Sequence, residues 1–174
     1  MTHDTYTDDE IRAVLDEVKT IAMVGASANN VRPSYFVLKY LLAKDYRVLP
    51  VNPGQAGKEI LGQRVYGALG DIPEALDMVD IFRSSEDAAR VVDEALALER
   101  RPKIIWMQLG VRNDEAAARA EKAGLRVIMN RCPKIEYGRL SGEIGWTGVN
   151  TGMISSKKPV LRPGYQHWGL RPKS

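Results

Sequence analysis

The chain has one cysteine, Cys132, and two histidines, His3 and His167, in 174 residues. A single cysteine excludes an internal disulfide and fits a reducing compartment, so a cytoplasmic protein is expected. Histidines confined to the two ends leave no core partner for a Ser–His or Cys–His nucleophile. No cluster of Cys, His and acids has metal-ligand spacing. The sequence also lacks a GxSxG elbow and a Walker lysine loop. No apolar run approaches the ~20 residues of a membrane span. The start, MTHDTYTDDE, is acidic and polar and does not read as a signal peptide.

What is present describes a folded chain. It is 44% hydrophobic and 27% charged, which is neither disordered nor fibrous. Its length favours one domain with a core of its own. Charge is spread unevenly. Residues 1–137 carry 19 Lys+Arg against 21 Asp+Glu, whereas residues 138–174 carry six basic residues and one acid. The basic character therefore sits in the tail. That argues against a nucleic-acid-binding body, which would carry its own basic face.

TDDEIRAVLDEVK opens with a capping box, Thr7 and Glu10. Ile11, Val14, Leu15 and Val18 follow at helical spacing, so residues 1–19 are expected to form an amphipathic helix packed on the domain. From 20 to 137, apolar runs alternate with helical patterns. TIAMVG (20–25), YRVLPVN (46–52), DMVDIF (77–82), PKIIWMQL (102–109) and LRVIMN (125–130) predict five strands. Helices are expected over 34–45, with Pro33 in the first turn, and over 85–99, capped by Ser84 or Ser85. A third is expected over 113–124, capped by Asn113 and stopped by Gly124. LGQRVYGAL (61–69) reads as a brief extended piece or loop, and IPEAL (72–76) as at most a short helix.

The strands are near-continuously apolar, as in a parallel sheet covered on both faces. The expected fold is α/β: a Rossmann-like doubly wound parallel sheet of about five strands, in the order 3-2-1-4-5, with helices on both faces. Residues 138–174 form a basic segment rich in glycine, with Trp146, Tyr165 and Trp168. It reads either as an arm packed on the body, a second copy or a protein partner, or as a loose tail.

Ligands of such sheets bind beyond the carboxyl ends of the strands. After the first expected strand come Gly25, Ala26 and Ser27, then Arg32, Pro33 and Ser34. Asn52 and Pro53 follow the second, Arg83 and Ser84 the third, and Gln108 and Gly110 the fourth. Asn130, Arg131, Cys132, Pro133 and Lys134 follow the fifth. This rim holds three arginines and a lysine, with no acid before Glu86, while the opposite rim mixes both signs. A helix N-terminus there already favours anions. Adding Arg32, Arg83 and Arg131 points to a ligand with more than one phosphate. The plain alternative is that each arginine is solvated or paired with an acid.

The loop in IAMVGASANNVRPSY has one glycine where the dinucleotide fingerprint has three. The second strand ends in Asn52-Pro53, without the acid that holds NAD ribose, although Lys58 would suit NADP. Cys132 beside Arg131 and Lys134 is either a small buried residue or a favoured thiolate. In the second case a thiol ligand can join it in a mixed disulfide. Phe82 is placed to stack on an adenine or simply to pack. Tyr35 and Trp106 read more readily as core or wall.

Taken together, VGAS with RPSY, VLPVNP, ILGQRVYGALGDIP, VDIFR and WMQLGVRNDEAAARAEKAGLRVIMNRCPKIE resemble the small stand-alone CoA-binding domain proteins. These are similar in fold to the N-terminal domain of the succinyl-CoA synthetase alpha subunit. The likeness runs from about residue 20 to 140. It implies coenzyme A or an acyl-CoA held at the carboxyl edge. Gly25, Ala26, Ser27, Arg32, Ser34 and Tyr35 would then hold phosphates, with Asn52 and Pro53 bordering the nucleotide. Phe82 and Arg83 would flank the adenine or ribose phosphate, and Gln108, Gly110 and Arg131 would close the far side. Residues 138–174 are too few for the synthetase's second domain, so its ligase reaction does not carry over. Independent catalysis is not expected. The readings left open are an NAD(P)-binding enzyme or redox-sensing domain, and an interaction module with a vestigial nucleotide site.

Overall fold

The computed structural model describes residues 2–143. Helix α1 (Asp8–Glu17) begins with the expected capping box. The Glu10 amide donates to Thr7 Oγ1 at 3.2 Å, and Glu10 Oε2 accepts from the Thr7 amide at 2.7 Å. The chain then enters β1 (Thr20–Val24), α2 (Pro33–Ala43) and β2 (Arg47–Val51). A small hairpin follows, β3 (Glu59–Ile60) and β4 (Gln63–Arg64), and then a single 3₁₀ turn at Leu69–Asp71. Residues 72–76 form no helix. The rest alternates: β5 (Met78–Ile81), α3 (Ser85–Ala97), β6 (Ile104–Met107), α4 (Asp114–Lys122), β7 (Arg126–Ile128) and α5 (Pro133–Leu140). Ser84 Oγ caps α3 and Asn113 Oδ1 caps α4. Gly124, at φ 90°, ends the α4 turn.

Five strands form one parallel sheet in the order β2-β1-β5-β6-β7. The doubly wound α/β architecture is the expected one, but the order is not. Counted over the five main strands it is 2-1-3-4-5, not 3-2-1-4-5. The third strand lies against the first, with Met78 opposite Ile21, and not outside the second. The outer side of β2 is taken by Tyr66, whose amide donates to Pro50 O and whose carbonyl accepts from the Asn52 amide, both at 2.9 Å. Pro50 is the reason this edge suits no full strand. It has no N–H to donate outward, and proline within a sheet belongs on an edge strand.

Both faces are covered. Under α1, α2 and α5 lies a cluster containing Ile11, Leu15, Met23, Leu38, Leu41, Met78 and Trp106. Under α3 and α4 lies another, with Val79, Ile81, Val92, Ile105, Ala117 and Ala120. Helix α5 was not foreseen, and it runs through position 138, where the sequence reading starts the tail. The N-terminal segment is also tied down. His3 is buried 3.2 Å from Glu121 Oε1, and Tyr6 Oη accepts from the Met129 amide at 2.8 Å. Trp146, Tyr165 and Trp168, on which the arm reading rests, lie outside the described residues.

Candidate functional site

The strand order fixes where a ligand can enter. From β1 the chain crosses to β2 on one side, and the next main strand, β5, lies on the other. The loops leaving β1 and β5 therefore part at the carboxyl edge and leave a crevice. A cavity of about 760 Å³ occupies this crevice, within the roughly 300–1,000 Å³ usual for small-molecule sites.

The single glycine of the first loop is where the two loops touch. Gly25 has φ 90°, and a Cβ on it would stand 2.2 Å from the Phe82 carbonyl oxygen. One glycine suffices because the close approach is to protein backbone at one point. The Gly25 amide donates to Val51 O at 2.9 Å, so the loop is tied to β2 as well. Asn52 completes the tie. Its Nδ2 donates to Ala26 O at 2.8 Å, and its Oδ1 accepts from the Gly54 amide at 2.9 Å. Ser27 Oγ accepts from the Asn29 amide, and Asn29 Oδ1 from the Val31 amide, which folds residues 27–31 into a compact turn.

The cavity wall is built from three directions. Gly25, Ala26 and Ser27 line it from the first loop, and Arg32 and Ser34 from the start of α2. Arg32 is the N-cap of α2, and no side chain caps that end, so its partial positive charge points to the crevice. Asn52, Phe82, Arg83 and Ser84 line the far side, with Gln108, Leu109, Cys132 and Ile135 toward β6 and α5. The one carboxylate in the wall, Asp87, is paired with Arg90.

Four of the expected residues lie outside this wall. Tyr35 packs against the core beside Phe36. Pro53 begins an exposed 3₁₀ turn just beyond Asn52. Gly110, at φ 83°, serves a turn in which its amide donates to Asn130 Oδ1 at 2.8 Å. Arg131 turns toward the N-terminal segment, 5.3 Å above the Tyr6 ring, and lines an adjoining cavity. Arg32 and Arg83 thus share the crevice, and Arg131 stands apart from them.

One buried group behind the wall was missed. Asp80 lies in β5, fully buried, with Oδ1 accepting from Gln108 Nε2 at 2.8 Å and Oδ2 without a partner. Burial drives its carboxyl up to about 7, against the lowering effect of the Gln108 donor. It also fixes which end of the Gln108 amide faces inward. The signal was an aspartate inside the apolar run DMVDIF. Of the two readings of Cys132, the fold shows the small buried residue and not the favoured thiolate. It is buried, and burial pushes its thiol up; the amides of Ile135 and Lys134 oppose that, and Asp80 adds to it.

Among the described residues no cluster of His, Cys, Asp and Glu is placed to hold a metal, and no helix is long and apolar enough to cross a membrane. The crevice offers guanidinium groups, a helix start, an aromatic face and a carboxamide. That set suits a phosphorylated nucleotide with a neutral arm.

Comparison with known proteins agrees. Residues 19–138 match the model of a protein family described as "CoA binding domain". The uncharacterized protein YneT of Bacillus subtilis is 35% identical over 128 residues, which span 74% of this chain and 92% of that protein. A hypothetical protein from Pyrococcus horikoshii has a similar structure, with a TM-score of 0.74 and 38% identity over 80% of this chain and 96% of its own. A dinucleotide-forming acetyl-coenzyme A synthetase from Ca. Korarchaeum cryptofilum gives a TM-score of 0.56 at 25% identity. The match takes in 67% of this chain but 27% of that enzyme.

Proposed function

The chain belongs to the CoA binding domain family, and we propose that it holds coenzyme A or an acyl-CoA in the crevice between the β1 and β5 loops. The observation that carries this reading is the convergence of Arg32, Arg83 and the start of α2 on one cavity. Coenzyme A has a pyrophosphate and a ribose 3′-phosphate, so it calls for two separated centres of positive charge. On this reading Gly25, Ala26, Ser27, Arg32 and Ser34 take the pyrophosphate at the start of α2, and Tyr35, whose amide donates to Arg32 O at 3.0 Å, supports that turn. Asn52 and Pro53 border the nucleotide. Arg83 takes the ribose phosphate beside an adenine resting on Phe82. The pantetheine arm then runs past Gln108 toward Cys132. Gly110 shapes the far turn, and Arg131 meets only the thiol end.

Gln108 suits the arm. With Nε2 committed to Asp80, its carbonyl oxygen is left to accept an amide N–H of pantetheine. No carboxylate ends β2 to hold a free ribose diol, which disfavours NAD.

Calorimetry with CoA, dephospho-CoA, NADH and NADPH tests the reading. CoA is expected to bind best and to weaken as salt rises, because the contacts are ionic. Dephospho-CoA is expected to bind less well. Tighter binding of either nicotinamide cofactor would overturn the proposal. Binding of none of them would leave the site vestigial.

A further inference from the structure

The crevice does not end at Cys132. A second cavity of about 430 Å³ adjoins it, and Leu109, Cys132 and Ile135 line both. A ligand with its phosphates at Arg32 and Arg83 sends its thiol end toward this neck. The amides of Lys134 and Ile135, at the start of α5, face the Cys132 sulfur there. The space beyond is larger than a bare thiol requires.

The second cavity sets the charged groups Asp8, Arg131, Glu136 and Arg139 beside an apolar wall that includes Ile11 and Leu109. Glu136 is buried and receives Arg139 Nη2 at 2.7 Å and Nε at 3.2 Å, both on Oε2. Arg139 Nη1 is held by Asp8 at 2.7 Å. Arg139 is therefore flanked by two carboxylates. Arg131 is not. Its Nη1 donates to Asn130 O at 2.8 Å, and its Nη2 lies 3.5 Å from Asp4 O. The guanidinium lies over the Tyr6 ring, and its Nε is 4.0 Å from Glu136 Oε1, beyond hydrogen-bond distance. Among the described residues it has no carboxylate in hydrogen-bond contact. Its backbone is fixed as well, because Trp106 Nε1 donates to Arg131 O at 2.8 Å.

We infer that this second cavity takes the acyl group of a CoA thioester, and that the acyl group is short and ends in a carboxylate held by Arg131. The inference rests on the CoA reading given above. A long hydrocarbon chain does not suit the space, because it would strip water from the Asp8–Arg139–Glu136 network without replacing its hydrogen bonds. A carboxylate suits it, because a guanidinium already held over a ring can receive it with little further ordering. Glu136 is shared, with Oε2 held by Arg139 and Oε1 4.0 Å from Arg131 Nε, so the ligand carboxylate competes with a long ion pair and not with a hydrogen-bonded one.

The test compares malonyl-, succinyl- and glutaryl-CoA with propionyl-, butyryl- and valeryl-CoA, each pair matched in carbon number, by calorimetry on the full chain. At least one carboxylated ligand is expected to bind about tenfold or more tightly than its matched neutral acyl-CoA, in line with a hydrogen bond to a charged group. In Arg131→Gln that ratio is expected to fall to about one, and in Arg131→Lys to survive in part. The wild-type ratio decides even if a variant fails to fold. Normal CoA binding with no preference in any pair overturns this inference alone, as does tighter binding of palmitoyl-CoA than of every short ligand. Failure of CoA itself to bind overturns both readings.

Discussion

The two faces of the sheet are packed with different chemistry. Under α3 and α4 the contacts are small and aliphatic: Ala88, Val92, Ala95, Ala117 and Ala120 on Val79, Ile81 and Ile105. Under α1, α2 and α5 the same strands present Asp80, Trp106 and Gln108, with Cys132 above them. Alternation along β5 and β6 separates the two sets. Val79 and Ile81 face one way, Asp80 the other. One face is a support, and the buried polar side chains that the strands and their ends present, Asp80 and Gln108, lie on the other. Buried polar groups cost stability unless satisfied, so their restriction to one face marks where function has displaced packing.

The largest expected effect is at Trp106, which is fully buried and bonded to Arg131 O. Trp106→Ala should cost about 3–5 kcal/mol in urea unfolding. A loss no larger than that of a small aliphatic truncation would erase the contrast between the faces.

Asp80→Asn should go the other way. The carboxyl stands at about 7 in the fold against an ordinary 3.8. The fold holds its proton more tightly than the unfolded chain does. Below the unfolded value both states are protonated and nothing is lost. As pH rises toward about 7 the unfolded chain ionises first, and stability falls until the buried group ionises too. Removing the charge should therefore stabilise the protein by on the order of 4 kcal/mol at about pH 8 and by little near pH 4. Parallel melts of wild type and variant across that range check it. A pH-independent difference would show that Asp80 is solvated.

A smaller effect separates the arginines of the two faces. Arg32→Ala is expected to weaken CoA by roughly 1.5–3 kcal/mol, the range for hydrogen bonds to charged groups. Arg119→Ala, on α4 and paired with Asp93, is expected to leave CoA affinity as it was. Equal losses in calorimetry would mean diffuse charge, not a built site. The smallest expected effect is Ile105→Val on the aliphatic face. It should cost about 0.5–1.5 kcal/mol and shift neither the pH profile nor ligand affinity. A change in CoA binding would show that the two faces are coupled.

Much of the scaffold was legible in the sequence, because it rests on local rules. The five strands read as apolar runs, and the caps at Thr7, Ser84 and Asn113 read as side chains able to accept a backbone amide. Two further signals were present but not used. Pro50 marked β2 as an edge strand, and Asp80 marked a polar break in an apolar run. Helix α5 was missed because it is short and stands at the boundary of the glycine-rich tail. Its Pro133 start was nevertheless of the kind that opens α2.

The sequence by itself determined the elements, the coverage of both faces and the presence of cations at one rim. Each of these follows from periodicity or from position beside a strand end. Only the tertiary structure decided that Arg32 and Arg83 share a cavity while Arg131 lines the next one. A side chain's direction depends on which loop it meets, and here the N-terminal segment draws Arg131 to Tyr6 across 125 positions of chain. Tertiary packing also decided why a single glycine suffices: Gly25 is needed where the backbone of Phe82 crosses it, a contact that no local pattern encodes.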